Sequence, residues 1–205
     1  MDIDSASLRE KVAREAANLL YTGIEKEFKQ AKLKASETFG AHFLPTNLEV
    51  VLEIDRLAEE REGSARQERL VKMRKDALNL MRIAKEHSPL LVGSVWRGTI
   101  HYASDIDIAV YHNEPADIVS TLNRNGVKII QTERVTVTKK GKRKGSFHIH
   151  VELPDKEKAE IKVVYGSEAS RKEKCEIYGD QIRGLNIKEL ERMLRENPLQ
   201  RFVPS

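Results

Sequence analysis

The chain has 205 residues, a third of them charged, with 36 Lys and Arg against 32 Asp and Glu and a net charge of +4. That length suits one ordinary core, or one catalytic domain with a helical appendage, and excludes two large domains. The single cysteine, Cys175, excludes an internal disulfide framework and fits a reducing compartment, and the small net charge leaves attraction of polyanions to local clusters.

The N-terminus, Met1 to Arg9, is polar and acidic where a signal peptide needs a basic start and an apolar run. No segment approaches the ~20 apolar residues of a membrane span, so a soluble, cytoplasmic protein without a membrane partner is expected. From Ser5 to Phe39 apolar residues recur at three- and four-residue spacing (Leu8, Val12, Ala16, Leu19, Leu20, Ile24, Phe28) and Gly40 follows as a stop, which predicts one long helix or two. A further helix runs to about Glu60 with Thr46 or Asn47 as its N-cap, and another from Ser64 to His87. The first 88 residues therefore read as a helical region.

After Pro89 the period changes to alternation, which marks the boundary with a second domain. Leu90 to Val92 is a short strand, Val95 to His101 a short helix, Asp105 to Tyr111 a strand, Ala116 to Asn125 a helix ended by Gly126, and Val127 to Val137 a strand. Two strands follow, Phe147 to Leu153 and Ala159 to Tyr165, joined by the turn "PDKEK". Beyond Gly166 the chain reads as mainly helical, notably over Ile187 to Glu196. The predicted organisation is a helical region over 1–88, a sheet domain over 89–166 and a helical extension with a tail over 167–205.

Alternation assigns faces, because successive strand side chains point to opposite sides. Ile106, Ile108 and Val110 oppose Asp105 and Asp107; Phe147, Ile149, Val151 and Leu153 oppose His148, His150 and Glu152; Ala159, Ile161, Val163 and Tyr165 oppose Glu160 and Lys162. An α+β fold follows, with an antiparallel or mixed sheet covered by helices on one face. The other face collects carboxylates, histidines and a lysine. His148, His150 and Glu152 are read as a polar sheet face near a substrate, since three candidates on one strand with no cysteine pair do not make a closed zinc site.

Asp105 and Asp107 put two carboxylates on one side of a strand, about 7 Å apart at the backbone. Such a pair suits Mg²⁺, which binds through one or two carboxylates plus the phosphates of a substrate. Upstream, Gly93 allows close approach of a ligand to the backbone, Ser94 adds a hydroxyl at the start of a helix, and Arg97 is within reach of a phosphate oxygen.

The ordered set Gly93-Ser94, Arg97-Gly98 and Asp105-Ile106-Asp107 resembles the signature of the DNA-polymerase-beta-like nucleotidyltransferase superfamily, and within it the archaeal CCA-adding enzymes and minimal nucleotidyltransferases. The resemblance covers residues 90 to about 166. It implies transfer of a nucleoside monophosphate from an NTP, ATP or CTP, to a hydroxyl on RNA, protein or a small molecule, with release of pyrophosphate and with Mg²⁺ or Mn²⁺ as cofactor. Gly93 and Ser94 match the family's phosphate turn, and Asp105 and Asp107 its metal-binding aspartates. Trp96 replaces the small residue that often precedes the arginine. Lys162 stands where CCA-adding enzymes have a third acid, so Glu160, two residues earlier on the same face, is expected to act as the third catalytic and metal-binding acid, with Lys162 beside the triphosphate.

Lys139, Lys140, Lys142, Arg143 and Lys144 form the densest basic run, read either as a solvated hairpin tip or as a contact for a nucleic-acid acceptor. Two other functions fit the same residues. One is a catalytically silent nucleotide- or RNA-binding module; the other is a regulatory protein that acts on a partner through its helical region.

Overall fold

The computed structural model describes residues 2–139, 142–165 and 174–204, with the side chains of 2–6, 137–139 and 142–144 outside the description. Six α-helices and five strands are present among these residues: α1 Asp2–Tyr21, α2 Phe28–Thr38, α3 Asn47–Ile83, β1 Leu90–Val92, α4 Gly93–Arg97, β2 Ile106–Tyr111, α5 Pro115–Arg124, β3 Lys128–Lys139, β4 Lys142–Glu152, β5 Lys158–Val164 and α6 Ile187–Glu196. They fall into two compact units. One comprises Met1–Arg66, Ile100–Ala103 and Glu176–Gly179, and the other Gln67–Thr99, Ser104–Cys175 and Asp180–Ser205.

The first unit resolves the ambiguity of residues 5–39 in favour of two helices. Their small apolar residues, Ala16, Ala17, Ala31 and Ala35, are fully buried with Val12, Val50 and Ala58, so the helices meet at close range. Thr46 is the cap of α3: its hydroxyl accepts the Glu49 N–H at 3.2 Å, and Glu49 Oε2 accepts the Thr46 N–H at 2.6 Å. Arg9 binds the same carboxylate, and these bonds hold the Glu49 carboxyl down at about 2. Gly63, at φ 54° and ψ −136°, interrupts α3 where two separate helices were expected.

The second unit is built on a mixed five-stranded sheet of order β1-β2-β5-β4-β3. β1 and β2 are antiparallel, β2 and β5 parallel, and β5, β4 and β3 successively antiparallel. The alternation read from the sequence sets the faces. Ile106, Ile108, Val110, Ile149, Val151, Ala159, Ile161 and Val163 are all buried, while Asp107, Glu160, Lys162 and His148 occupy the opposite side. Met73, Ala77 and Met81 of α3, Ile118 and Leu122 of α5, and Leu190 of α6 supply further buried side chains in this unit.

The mainly helical segment expected after Gly166 needs correction. Among the described residues only Ile187–Glu196 is helical; Lys174 to Asn186 makes turns and two isolated bridges, Lys174 with Gln181 and Leu91 with Leu185. The reason is local: Leu185 exchanges both backbone bonds with Leu91 at 2.9 and 3.0 Å, which fixes this stretch as extended chain against β1. α4 also begins at Gly93, two residues before the predicted start, and ends at Arg97. β3 and β4 pair as far as Lys139 with Lys142, but the basic run lies outside the described residues: Lys140 altogether, and Lys139, Lys142, Arg143 and Lys144 as side chains.

Arg74 of α3 is fully buried without a carboxylate partner among the described residues. Its guanidinium donates to the carbonyls of Val95 (3.1 Å), Trp96 (3.0 Å), Pro198 (2.6 Å) and Gln200 (2.8 Å). The carbonyls of Val95 and Trp96 belong to the last turn of α4, where no intrahelical donor remains. Burial draws the Arg74 pKa down to about 10. One cation thus joins α3, α4 and the C-terminal tail. Arg74→Leu removes these donors and leaves buried acceptors unmade at about 1–3 kcal/mol each, so a loss of roughly 3–5 kcal/mol is expected in urea unfolding; a loss below about 1 kcal/mol contradicts this role.

Candidate active site

β1 runs straight into α4, and the junction is Gly93 at φ +70°. A Cβ at this position would overlap Oδ2 of Asp107, which lies on the neighbouring strand opposite Val92. Glycine is therefore required twice, by the left-handed backbone and by the carboxylate packed on its Cα. Ser94 opens the first turn of α4; its carbonyl accepts from the N–H groups of Gly98 and Thr99 at 2.8 and 3.0 Å, and its hydroxyl has no partner among the described residues.

The parallel pairing of β2 with β5 puts Asp107 opposite Glu160, and Lys162 opposite Ala109. These residues line a cleft of about 740 Å³ together with Gly93, Trp96, His148, Tyr111, Cys175 and Arg183. Asp105 lies just before the first residue of β2. Neither Asp105 nor Asp107 has a hydrogen-bond or ion-pair partner among the described residues. Burial first, and then the Asp105 and Glu160 carboxylates, together push the Asp107 carboxyl up to about 7, with Lys162 opposing the rise. The site therefore gathers carboxylates that Lys162 offsets only in part, at the place where Gly93 brings the backbone closest.

That chemistry fits a hard divalent cation. Among the described residues no three His, Cys, Asp or Glu side chains form a ready-made cage. Mg²⁺ does not use one, since it completes its shell with water and substrate phosphates around one or two carboxylates.

Arg97 lines the cleft but its guanidinium is engaged within the protein, and the basic run lies outside the described residues. Arg97 is buried and does not point to a phosphate: its guanidinium donates to Asp180 at 2.7 and 3.2 Å and to the Phe202 carbonyl at 2.9 Å, and it lies 4.6 Å over the Trp96 ring. The carboxylate and carbonyl of the C-terminal segment satisfy its planar fork inside the protein. The basic run cannot be placed at the cleft, because it lies outside the described residues. Conversely, Arg183 and Tyr111 line the cleft and carry no motif. Arg183 precedes Gly184, where a Cβ would meet the Leu91 carbonyl, beside the Leu185–Leu91 pairing that returns this segment to the sheet.

Residues 82–177, a little under half of the chain, match the family model for a nucleotidyltransferase domain. No curated protein matches the chain. Among solved structures it is similar to the GLD-2/RNP-8 complex at 12% identity (60% of this chain, 44% of that one, TM-score 0.35). It is also similar to a cytoplasmic RNA terminal U-transferase at 15% identity (60% and 36%, TM-score 0.29) and to the Cid1 poly(U) polymerase bound to MgATP at 14% (58% and 39%, TM-score 0.33). The chain spans less than half the length of each.

The elevated Asp107 has a direct consequence for stability without metal. In the unfolded chain an aspartate titrates near its ordinary value, so between about pH 4 and pH 7 the folded protein holds a proton that the unfolded one has released. Stability from this group is present below pH 4 and lost as pH rises through 7, on the order of 4 kcal/mol at about 1.4 kcal/mol per pH unit. In chelator, Asp107→Asn is therefore expected to be more stable than the parent at pH 8 by a few kcal/mol and equal to it at pH 4. Identical unfolding midpoints at pH 8 contradict the charge cluster.

Proposed function

We propose that the cleft, which lies in a chain whose residues 82–177 match the family model for a nucleotidyltransferase domain, transfers a nucleoside monophosphate from an NTP, ATP or CTP, to an acceptor hydroxyl on RNA, protein or a small molecule. The observation that carries this reading is Asp107: a carboxylate pushed up to about 7 by burial and two neighbouring carboxylates, against a glycine that admits no side chain. In this reading Asp105, Asp107 and Glu160 hold Mg²⁺. The ion supplies charge neutralisation for an in-line phosphoryl displacement when bound.

The chain's own residues have separate tasks. The turn at Gly93 and Ser94 leaves room for the triphosphate beside Asp107, and Lys162, which makes no hydrogen bond or ion pair among the described residues, neutralises phosphate charge. Arg97 acts indirectly, because its bonds to Asp180 and Phe202 fix the end of α4. The acceptor oxygen attacks the α-phosphorus, the bond to the bridging oxygen breaks, pyrophosphate departs with the electron pair, and the hydroxyl proton passes to the carboxylate cluster or water. Lys162 in the place of the family's third acid favours one second reading, a module that binds NTP without turnover.

Incubation with each labelled NTP, Mg²⁺ or Mn²⁺, and total RNA or cell protein separates the two. Label transfer is expected, reduced at least about 100-fold in Asp107→Asn because several kcal/mol of charge stabilisation are lost. Glu160→Gln should lower transfer while NTP affinity stays within about threefold, and Lys162→Ala should weaken NTP binding about 10-fold. Metal-dependent NTP binding with no labelled product leaves the silent module; transfer that survives Asp107→Asn removes the proposed site.

A further inference from the structure

His148 has both ring nitrogens engaged. Nδ1 contacts Oε1 of Glu160 on the adjacent strand, and Nε2 lies 2.7 Å from the Ser146 hydroxyl on its own strand. The antiparallel register explains how: His148 stands opposite Lys162 and His150 opposite Glu160, so His148 reaches Glu160 diagonally across the open face, and Ser146, two residues along, shares that face. The His148 and Glu160 side chains are only 17% and 23% exposed. His150, by contrast, pairs outward with Glu133 at 3.3 Å, with 29% and 46% exposed, and is not part of the cleft.

The hydrogen placement follows from chemistry. Against a carboxylate the hydrogen shared with Nδ1 is the imidazole's, so in the neutral ring Nε2 is an acceptor and the Ser146 hydroxyl donates to it. Glu160 thus selects the tautomer, the Ser146 hydroxyl fixes the ring orientation, and the ring so held fixes Oε1 of Glu160. The second oxygen of Glu160 carries no hydrogen bond to the described residues. Glu160 stands opposite Asp107 in the β2–β5 register, which leaves this oxygen for a cation held between the two strands.

We propose that Ser146 and His148 are positioning residues that orient Glu160 as the third acid of the cation site. Metal-ligating carboxylates generally depend on such outer hydrogen bonds, and removal of one typically lowers metal affinity 10–100-fold. The inference rests on the reading of Asp105, Asp107 and Glu160 as a divalent-cation site.

Mn²⁺ alone, titrated calorimetrically into the full chain, tests it. Asn places an amide nitrogen where Nδ1 stands, and Gln places one near Nε2. His148→Gln is therefore expected to weaken Mn²⁺ binding about 10–100-fold, whereas His148→Asn keeps the bond to Glu160 and stays within about threefold of the parent. Ser146→Ala should fall between them. Far-ultraviolet dichroism and melting confirm that each variant is folded, and the Gln/Asn contrast separates orientation from general packing. If Asp107→Asn loses Mn²⁺ while His148→Gln binds as the parent does, or if Gln and Asn are equally impaired, the positioning role is overturned and the cation site stands. Tighter binding in His148→Gln also overturns it, since the imidazole would then be competing with the ion. If the parent and Asp107→Asn bind Mn²⁺ alike, the cation site itself fails and the positioning role falls with it.

Discussion

The carboxylate of Asp107 and the Cα of Gly93 occupy adjoining space that no larger residue could share. Because β1 enters α4 through that glycine at positive φ, the chain turns directly above a charged group on the next strand. Everything else at the cleft answers to this contact. Burial makes the Asp107 charge expensive, Asp105 and Glu160 raise the cost, and Lys162 offsets only part of it. A fold that keeps three carboxylates near one another, with only Glu160 held by a neighbour, His148, favours any ligand that brings positive charge, and a cation shared with a triphosphate does so.

The junction is held from outside by buried arginines used as hydrogen-bond hubs. Arg74 reaches the last carbonyls of α4 from one side, and Arg97, at the end of the same helix, reaches Asp180 and the Phe202 carbonyl. Both tie a five-residue helix, too short to be stable alone, to α3 and the C-terminal segment. The position of Gly93 over Asp107 thus depends on residues far along the chain. Trp96 lies between these supports, stacked on Phe202 at 6.1 Å and covered by the Arg97 guanidinium.

How much of this was legible in the sequence depended on the range of the interaction. Asp107, Glu160 and Lys162 were readable as one face because strand alternation is a local rule, and the parallel β2–β5 register set Asp107 opposite Glu160. The bond between His148 and Glu160 was not readable, since it depends on which residue of β4 faces which residue of β5. Arg97 was misjudged for the same reason: its partner Asp180 is 83 residues away, and nothing nearby announces it. Nothing in the sequence sets Arg74 apart from the other charged residues of its helix, because its acceptors lie 21 to 126 residues away. The segment after Gly166 carries charged residues at helical density, yet pairing of Leu185 with Leu91 turns part of it into extended chain. The family match begins at residue 82, within α3, and the compact unit that holds the sheet begins at Gln67.

The account depends on where a triphosphate and its cation settle. A crystal structure of the full chain with Mg²⁺ and a non-hydrolysable ATP or CTP analogue measures that directly. It should show one cation in contact with Asp105, Asp107 and the triphosphate, with Lys162 on a phosphate oxygen and the turn at Gly93 against the phosphate chain. A nucleotide bound away from Asp107, or bound there with no cation between it and the carboxylates, would contradict it.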